Sequence, residues 1–291
     1  MSGDRNSTAG QDAELELFYG SLNPAVGRVY ARWGSAERAG LSVRGTLTGP
    51  SCEYANTLPA TSRFVDRGPG GPPLAEAIVP EPSFWTPEMP HVYRAELELL
   101  DGGQVVARVE RTFGFRPLGA AGARLRFDGK NWVLRGVGID EENVGELATW
   151  GESSTTIVVK RPSDLLCEAA SRLGVLVVAE LDEFDLMEFR RLSRWPAVGM
   201  VVLPACCNDG FSAVAHNLLL AERIGGAQPS PWADVLICEI ALGHPGALPE
   251  SSLPIIAERR HGATAVCDGR AACDRLQAEL ATAGLLAGYI C

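Results

Sequence analysis

Phe84-Trp85-Thr86-Pro87-Glu88-Met89-Pro90-His91-Val92-Tyr93 leads straight into Arg94-Ala95-Glu96-Leu97-Glu98-Leu99, where apolar and polar side chains alternate. A period of two is what a strand needs when one face packs on a core and the other meets water. Asp101-Gly102-Gly103 then supplies the positive backbone angles of a tight hairpin turn, and Val105 to Phe113 reads as the returning partner strand. From about Glu14 to Arg116 the chain reads as short strands between Gly/Pro-rich turns, the pattern of a β-sandwich. Arg67-Gly68-Pro69-Gly70-Gly71-Pro72-Pro73 reads as a surface loop, because Pro lacks an amide donor and Gly has no side chain to pack.

After Arg116, the small-residue stretch Pro117 to Ala123 reads as a linker, and the rhythm changes to strand, helix, strand. Strands are expected at Trp132 to Val137, Thr155 to Lys160, Val175 to Glu180, Val198 to Leu203, Val235 to Ile240, Pro254 to Glu258 and Leu286 to Ile290. Nearly all are continuous apolar runs, which suits parallel strands covered on both faces. Helices are expected at Pro162 to Leu173, Phe184 to Ser193, Ser212 to Ile224 and Asp268 to Ala283. Pro162 with Ser163-Asp164 opens the first of these, and Gly174 closes it. Alternation of this kind predicts an α/β domain. Only seven strands are legible, against the eight of a closed (β/α)8 barrel, and Gly225 to Pro231 is too rich in breakers to supply a fifth. The reading divides the chain into a disordered N-terminus at residues 1–13, a sandwich at 14–117 and a shortened barrel at 124–291.

The chain has 291 residues, 46% of them hydrophobic, enough for two domains with their own cores. A formal charge of -10 with no Lys/Arg stripe argues against nucleic acid and anionic membranes as partners. No apolar run reaches the roughly 20 residues of a spanning helix, and Met1 to Asp12 lacks the features of an export signal, so a cytoplasmic location is expected. The eight cysteines read as buried thiols rather than a disulfide framework, and their spacing does not suit zinc, so no metal and no cofactor is expected.

Three landmarks taken in order, Phe84 to Tyr93, Phe113-Gly114-Phe115-Arg116 and Asp128-Gly129-Lys130-Asn131-Trp132-Val133-Leu134-Arg135-Gly136-Val137, resemble the seam between an immunoglobulin-like sandwich and the (β/α)8 barrel of family 2 glycoside hydrolases. This is the group of β-galactosidases, β-glucuronidases and β-mannosidases. The resemblance implies an immunoglobulin-like β-sandwich followed by a shortened TIM-type barrel whose closure is left open by the strand count. It also implies two carboxylates at strand ends, one protonating the leaving oxygen and one attacking the anomeric carbon, about 5 to 5.5 Å apart in retaining enzymes.

In family register, Arg194-Trp195-Pro196 to Cys206 covers the fourth strand, and Cys206 stands where the family carries its acid/base Glu. A thiol, with a reference pKa of about 8.5, is a poor substitute for a tuned carboxylic acid. Leu253-Pro254-Ile255-Ile256-Ala257-Glu258 keeps Glu258 in the nucleophile position, followed by Arg259 and Arg260, which would favour its ionised form. Glu180 ends the expected third strand, and Lys160-Arg161-Pro162 stands where a His-x-Pro segment is usual. Glu180, Lys160, Arg161, Asp209 and Arg259 are therefore candidate substrate-binding residues. The bland reading of Glu258 is a solvated strand-end carboxylate.

Three functions remain in play at this stage. A catalytically silent relative would bind a saccharide or another protein chain, self-association included, because an open barrel leaves strand edges exposed. A working retaining β-glycosidase would use Glu258 as nucleophile with Asp209 or Glu180 as a non-homologous acid. A cysteine chemistry would use Cys206 or Cys207 with His216 or His261, although such residues are usually core thiols and surface imidazoles. Trp85, Trp132, Trp150, Trp195 and Trp232 are candidate stacking platforms, with Trp85 and Trp132 better read as packing residues.

Overall fold

The computed structural model describes residues 15–34, 40–68, 72, 74–204, 216–224, 228–241, 248, 249, 251–259 and 266–291. The expected N-terminal disorder at 1–13, Cys206, Cys207, Asp209 and His261 lie outside the described residues. The chain divides into two units. The first runs through Trp85 and takes in Met89–Phe115 and Met187–Pro196, and the second takes in Thr86–Glu88, Arg116–Leu186 and Ala197–Cys291.

The first unit is the sandwich. Its strands are β1 Leu15–Tyr19, β2 Val26–Trp33, β3 Leu41–Ser51, β4 Ala60–Asp66, β5 Leu74–Pro80, β6 Val92–Asp101 and β7 Gln104–Phe113, in the order β1-β2-β5-β4-β3-β6-β7. Every pairing is antiparallel. Strand β4 changes layer along its length, since Ala60 to Phe64 pair with β3 and Val65-Asp66 pair with β5. The alternation read at Tyr93 to Leu99 holds, with Tyr93, Ala95, Leu97 and Leu99 buried and Arg94 and Glu96 exposed. Gly102 and Gly103 make the turn at φ of 54° and 88°, and Asp101 pairs with Gln104 across it.

The core of this unit gathers Val29, Trp33, Leu47, Phe64, Tyr93, Leu97 and Leu99 around an aromatic knot. Phe115 meets Tyr93 and Phe113 edge-on at 5.3 and 5.1 Å between centroids. Its ring also covers Gly27, where an added Cβ would lie 2.7 Å from it. Trp85 is fully buried, and its amide donates to the Phe115 carbonyl at 2.8 Å.

The second unit opens with a three-stranded antiparallel meander, β8 Leu118–Ala121, β9 Arg124–Phe127 and β10 Lys130–Trp132. The stretch expected to be a linker is thus in part a strand, because small residues at Gly119 to Ala121 still pair in full with Arg126 to Arg124. Leu125 is completely buried and packs with Leu134, Val158, Val178, Met200 and Val235, so the meander supplies a side chain to the barrel core.

The barrel closes, in the order β11 Leu134–Ile139, β12 Thr156–Lys160, β13 Val177–Glu180, β14 Val198–Leu203, β15 Leu219–Ile224, β16 Val235–Glu239, β17 Ile255–Glu258 and β18 Gly288–Ile290. All eight strands are parallel to their neighbours, and β18 pairs back onto β11. Eight strands correct the seven read from the sequence. The missing one is β15, which occupies the second half of the segment expected to be a helix from Ser212 to Ile224; residues 212–215 lie outside the described residues. The barrel runs only from Leu134 to Ile290, well short of the roughly 250 residues typical of the fold.

Helices α1 Leu147–Glu152, α2 Asp164–Leu173, α3 Leu186–Ser193 and α4 Val266–Glu279 follow β11, β12, β13 and β17. The capping read from the sequence holds at α2: Ser163 Oγ accepts from the Leu166 amide at 3.2 Å, and Gly174 ends the helix at φ 71°. Residues 228–234, between β15 and β16, carry no helix.

Closure puts a steric demand on Gly288, which pairs with Leu134 on one side and Ile256 on the other. A Cβ there would lie 2.7 Å from Leu134 Cβ and 3.0 Å from its carbonyl oxygen. Gly288→Ala is therefore expected to cost about 1–3 kcal/mol by overpacking the seam. Urea denaturation checks this, and an unchanged midpoint would refute it.

Candidate functional site

Because strand side chains alternate, the residues two positions beyond a core side chain point into the same interior. Val178, Ala221 and Ile256 all belong to the barrel core. Two residues further along β13, β15 and β17 come Glu180, Arg223 and Glu258, at the carboxyl ends of strands three, five and seven. This is the face on which the fold carries its chemistry.

The three side chains meet. Arg223 Nε donates to Glu258 Oε2 at 2.8 Å and its terminal nitrogen donates to Glu258 Oε1 at 3.0 Å, a two-pronged pair. The same terminal nitrogen also donates to Glu180 Oε1. Both carboxylates are almost fully buried, Glu180 at 3% and Glu258 at 4% exposure. Sharing one donor places their nearest oxygens within about 6 Å of each other. Burial works against the charge of Arg223, but its hydrogen bond to Glu258 and the charges of Glu180 and Glu258 outweigh it, and the guanidinium is held above the ordinary arginine range.

Alternation also separates Glu258 from its sequence neighbour. Arg259 was expected to favour an ionised Glu258 and to touch substrate, but it turns to the other side of β17. Its guanidinium is buried there against Glu279 of α4. Arg223, from a strand that the sequence reading had made helical, supplies the cation instead. The signal was present in Leu219-Leu220-Ala221-Glu222-Arg223, whose odd positions carry the inward side chains. Glu222 faces outward and is held by the Ser230 amide at 2.7 Å and hydroxyl at 2.8 Å, which ties the loop after β15 to its strand.

The remaining candidates make other contacts. Lys160 ends β12 opposite Glu180 and pairs with Asp182 at 3.2 Å. Arg161, at φ 44°, pairs with Glu183 at 3.2 Å. Both are solvent-exposed ion pairs. Trp85, Trp150 and Trp232 are buried, Trp132 packs edge-on against Phe127, and the guanidinium of Arg194 lies 4.9 Å over the Trp195 ring, so each of these indoles is occupied by packing. Among the described residues no group of His, Cys, Asp or Glu has the arrangement of a metal site. Among the described residues no helix is long and apolar enough to cross a membrane. A hollow of about 670 Å³ on the sandwich is lined by Arg44, Glu98 and Arg108, whose charges are spent on one another at 2.7 and 2.9 Å.

A sandwich and a parallel barrel in this order are the fold seen in solved structures of family 2 glycosyl hydrolases. Residues 24–116 match the model of glycosyl hydrolases family 2. The chain is 28% identical over 193 residues to a β-galactosidase of Aeromonas hydrophila, covering 59% of this chain and 19% of that protein. It is 35% identical over 66 residues to a putative β-glucuronidase of Formosa agariphila, covering 22% of this chain and 6% of that protein. Among solved structures, a family 2 member from Bacteroides cellulosilyticus superposes with a TM-score of 0.64 at 15% identity, over 96% of this chain and 45% of that one. The chain thus spans less than a fifth of these curated relatives' length and under half of that solved structure.

Proposed function

We propose that the chain is a saccharide-binding relative of the family 2 glycosidases in which hydrolysis has been lost. The carrying observation is the bridge that Arg223 makes between Glu180 and Glu258. Double displacement needs one carboxyl group protonated and one free to attack. A guanidinium hydrogen-bonded to both occupies both oxygens of Glu258 and one of Glu180, so Glu258 is not free to attack. The family acid/base position falls at Cys206, a residue type without a proton suited to a glycosidic oxygen. The names of the matched relatives point to β-galactosides and β-glucuronides as the sugars to try. In this reading Glu180, Lys160 and Arg161 receive sugar hydroxyls at the barrel mouth, with Asp209, outside the described residues, as a further candidate; a second protein chain is the other partner class.

A second reading is favoured by one observation, the convergence of Glu180 and Glu258 on a single donor. With Arg223 displaced by substrate, Glu258 would attack and Glu180 would protonate the leaving group. One experiment separates the two. Calorimetric titration with galactosides and glucuronides is run beside turnover of aryl glycosides with good leaving groups, which need little proton assistance. The silent reading expects binding, weakened roughly tenfold in Glu180→Gln, with no turnover. Aryl glycoside hydrolysis that disappears in Glu258→Gln would replace it with the second reading, and absence of both binding and turnover would sink both.

A further inference from the structure

A pair of thiols lies on the outer side of the seam where the barrel closes. Glu258 and Ile290 face each other across β17 and β18, and Ile290 belongs to the barrel core. The next residues along, Arg259 and Cys291, therefore face outward, toward the α4 side. Cys291 stays in the β11 ladder, its amide donating to Gly136 O at 3.0 Å and its carbonyl accepting from Gly138 N at 2.9 Å. From α4, Cys273 brings a fully buried thiol to the same place: its Sγ is 3.2 Å from that same Gly136 carbonyl and 3.6 Å from Tyr289 O. Helix α4 is held over this spot by Arg135, which donates to Asp274 and to Gln277 at 2.8 Å each.

The two sulfurs differ in environment. Cys273 is sealed, and the hydrogen bond to Cys291 together with burial pushes its thiol far up. Cys291 is half-buried, and the hydrogen bond from Cys273, then Arg259 and Arg275, holds its thiol below the ordinary range. Arg259 is nine-tenths buried, and its Nε has no hydrogen-bond partner among the described residues. A half-buried thiol beside a cation, with a second thiol gathered at the same backbone carbonyl, is the arrangement that reacts with peroxides and then resolves itself.

We propose that Cys291 and Cys273 form a peroxide-reactive dithiol, with Cys291 the attacking sulfur and Cys273 the resolving one. The Cys291 thiolate attacks a hydroperoxide, the O–O bond breaks, and a sulfenic acid and an alkoxide or hydroxide form. Cys273 sulfur then attacks the sulfenic sulfur, its proton and the departing hydroxide leave as water, and a disulfide remains. Two electrons pass from the two thiols to the peroxide. The cross-link joins α4 to the end of β18, across the last pairing of the barrel.

The test uses the full chain, reduced and then exposed to stoichiometric hydrogen peroxide, with non-reducing peptide mapping by mass spectrometry. The expected product is a Cys273–Cys291 disulfide, reversed by dithiothreitol, with Cys167 and Cys238 still reduced. Alkylation of the reduced chain at neutral pH is expected to modify Cys291 roughly tenfold faster than Cys52, which is also partly exposed. In Cys273→Ser the sulfenic acid persists and a dimedone adduct appears at residue 291. Absence of the Cys273–Cys291 peptide, or labelling of Cys291 no faster than Cys52, overturns the proposal. The wild-type measurements stand whether or not the variant folds.

Discussion

Arg223→Ala is expected to destabilise the barrel by about 2–4 kcal/mol, the larger part of what is lost when one partner of a buried ion pair is removed. The full 3–5 kcal/mol typical of such losses is discounted because the Arg223 side chain is 41% exposed, so water can partly replace it. What remains after the substitution is two almost fully buried carboxylates that have lost the cation they share. Chemical denaturation of the variant beside the wild type measures the loss. A triple variant, Glu180→Gln, Arg223→Met and Glu258→Gln, should recover most of the stability, because it removes the charges together rather than stranding two. If Arg223→Ala proves neutral, the bridge is not a structural element of the barrel.

The second large effect belongs to the sandwich. Phe115→Ala is expected to cost about 3–5 kcal/mol, the range for emptying a buried phenylalanine site. Phe115 is completely buried, contributes to edge-on contacts with Tyr93 and Phe113, and covers Gly27. Collapse around the void is restricted because Gly27 has no side chain to move in and the neighbouring rings are set by their own strands. Val105→Ala, partly exposed on β7, should stay within about 0.5 kcal/mol and serves as the control. Denaturant midpoints of the two variants decide the matter; comparable midpoints would mean the aromatic knot repacks.

The hairpin at Asp101 to Gln104 and the capped helix α2 were legible because local chemistry dictates them: two glycines supply the turn, and Ser163 with Gly174 supplies the caps. Strand β15 was not. Leu219-Leu220-Ala221-Glu222-Arg223 is made of good helix formers, and their preference is overridden by pairing with β14 on one side and β16 on the other. Misreading that one element hid Arg223 and with it the partner of Glu258, since only the strand period aims both into one interior. Glu180 and Glu258 themselves were found because each closes an apolar run. Gly119 to Ala121 was missed as a strand for the opposite reason, having no bulky residue to announce it.

Leu125 has a practical bearing on how this chain can be dissected. It is contributed by β9, outside the eight parallel strands, yet it lies wholly inside their packing. A fragment begun at Leu134 would carry every barrel strand and still lack the stopper at its base, leaving an unfilled apolar hole where water or a neighbouring molecule would intrude. The cut that yields a self-sufficient piece falls before Leu118, so that the meander travels with the strands it plugs.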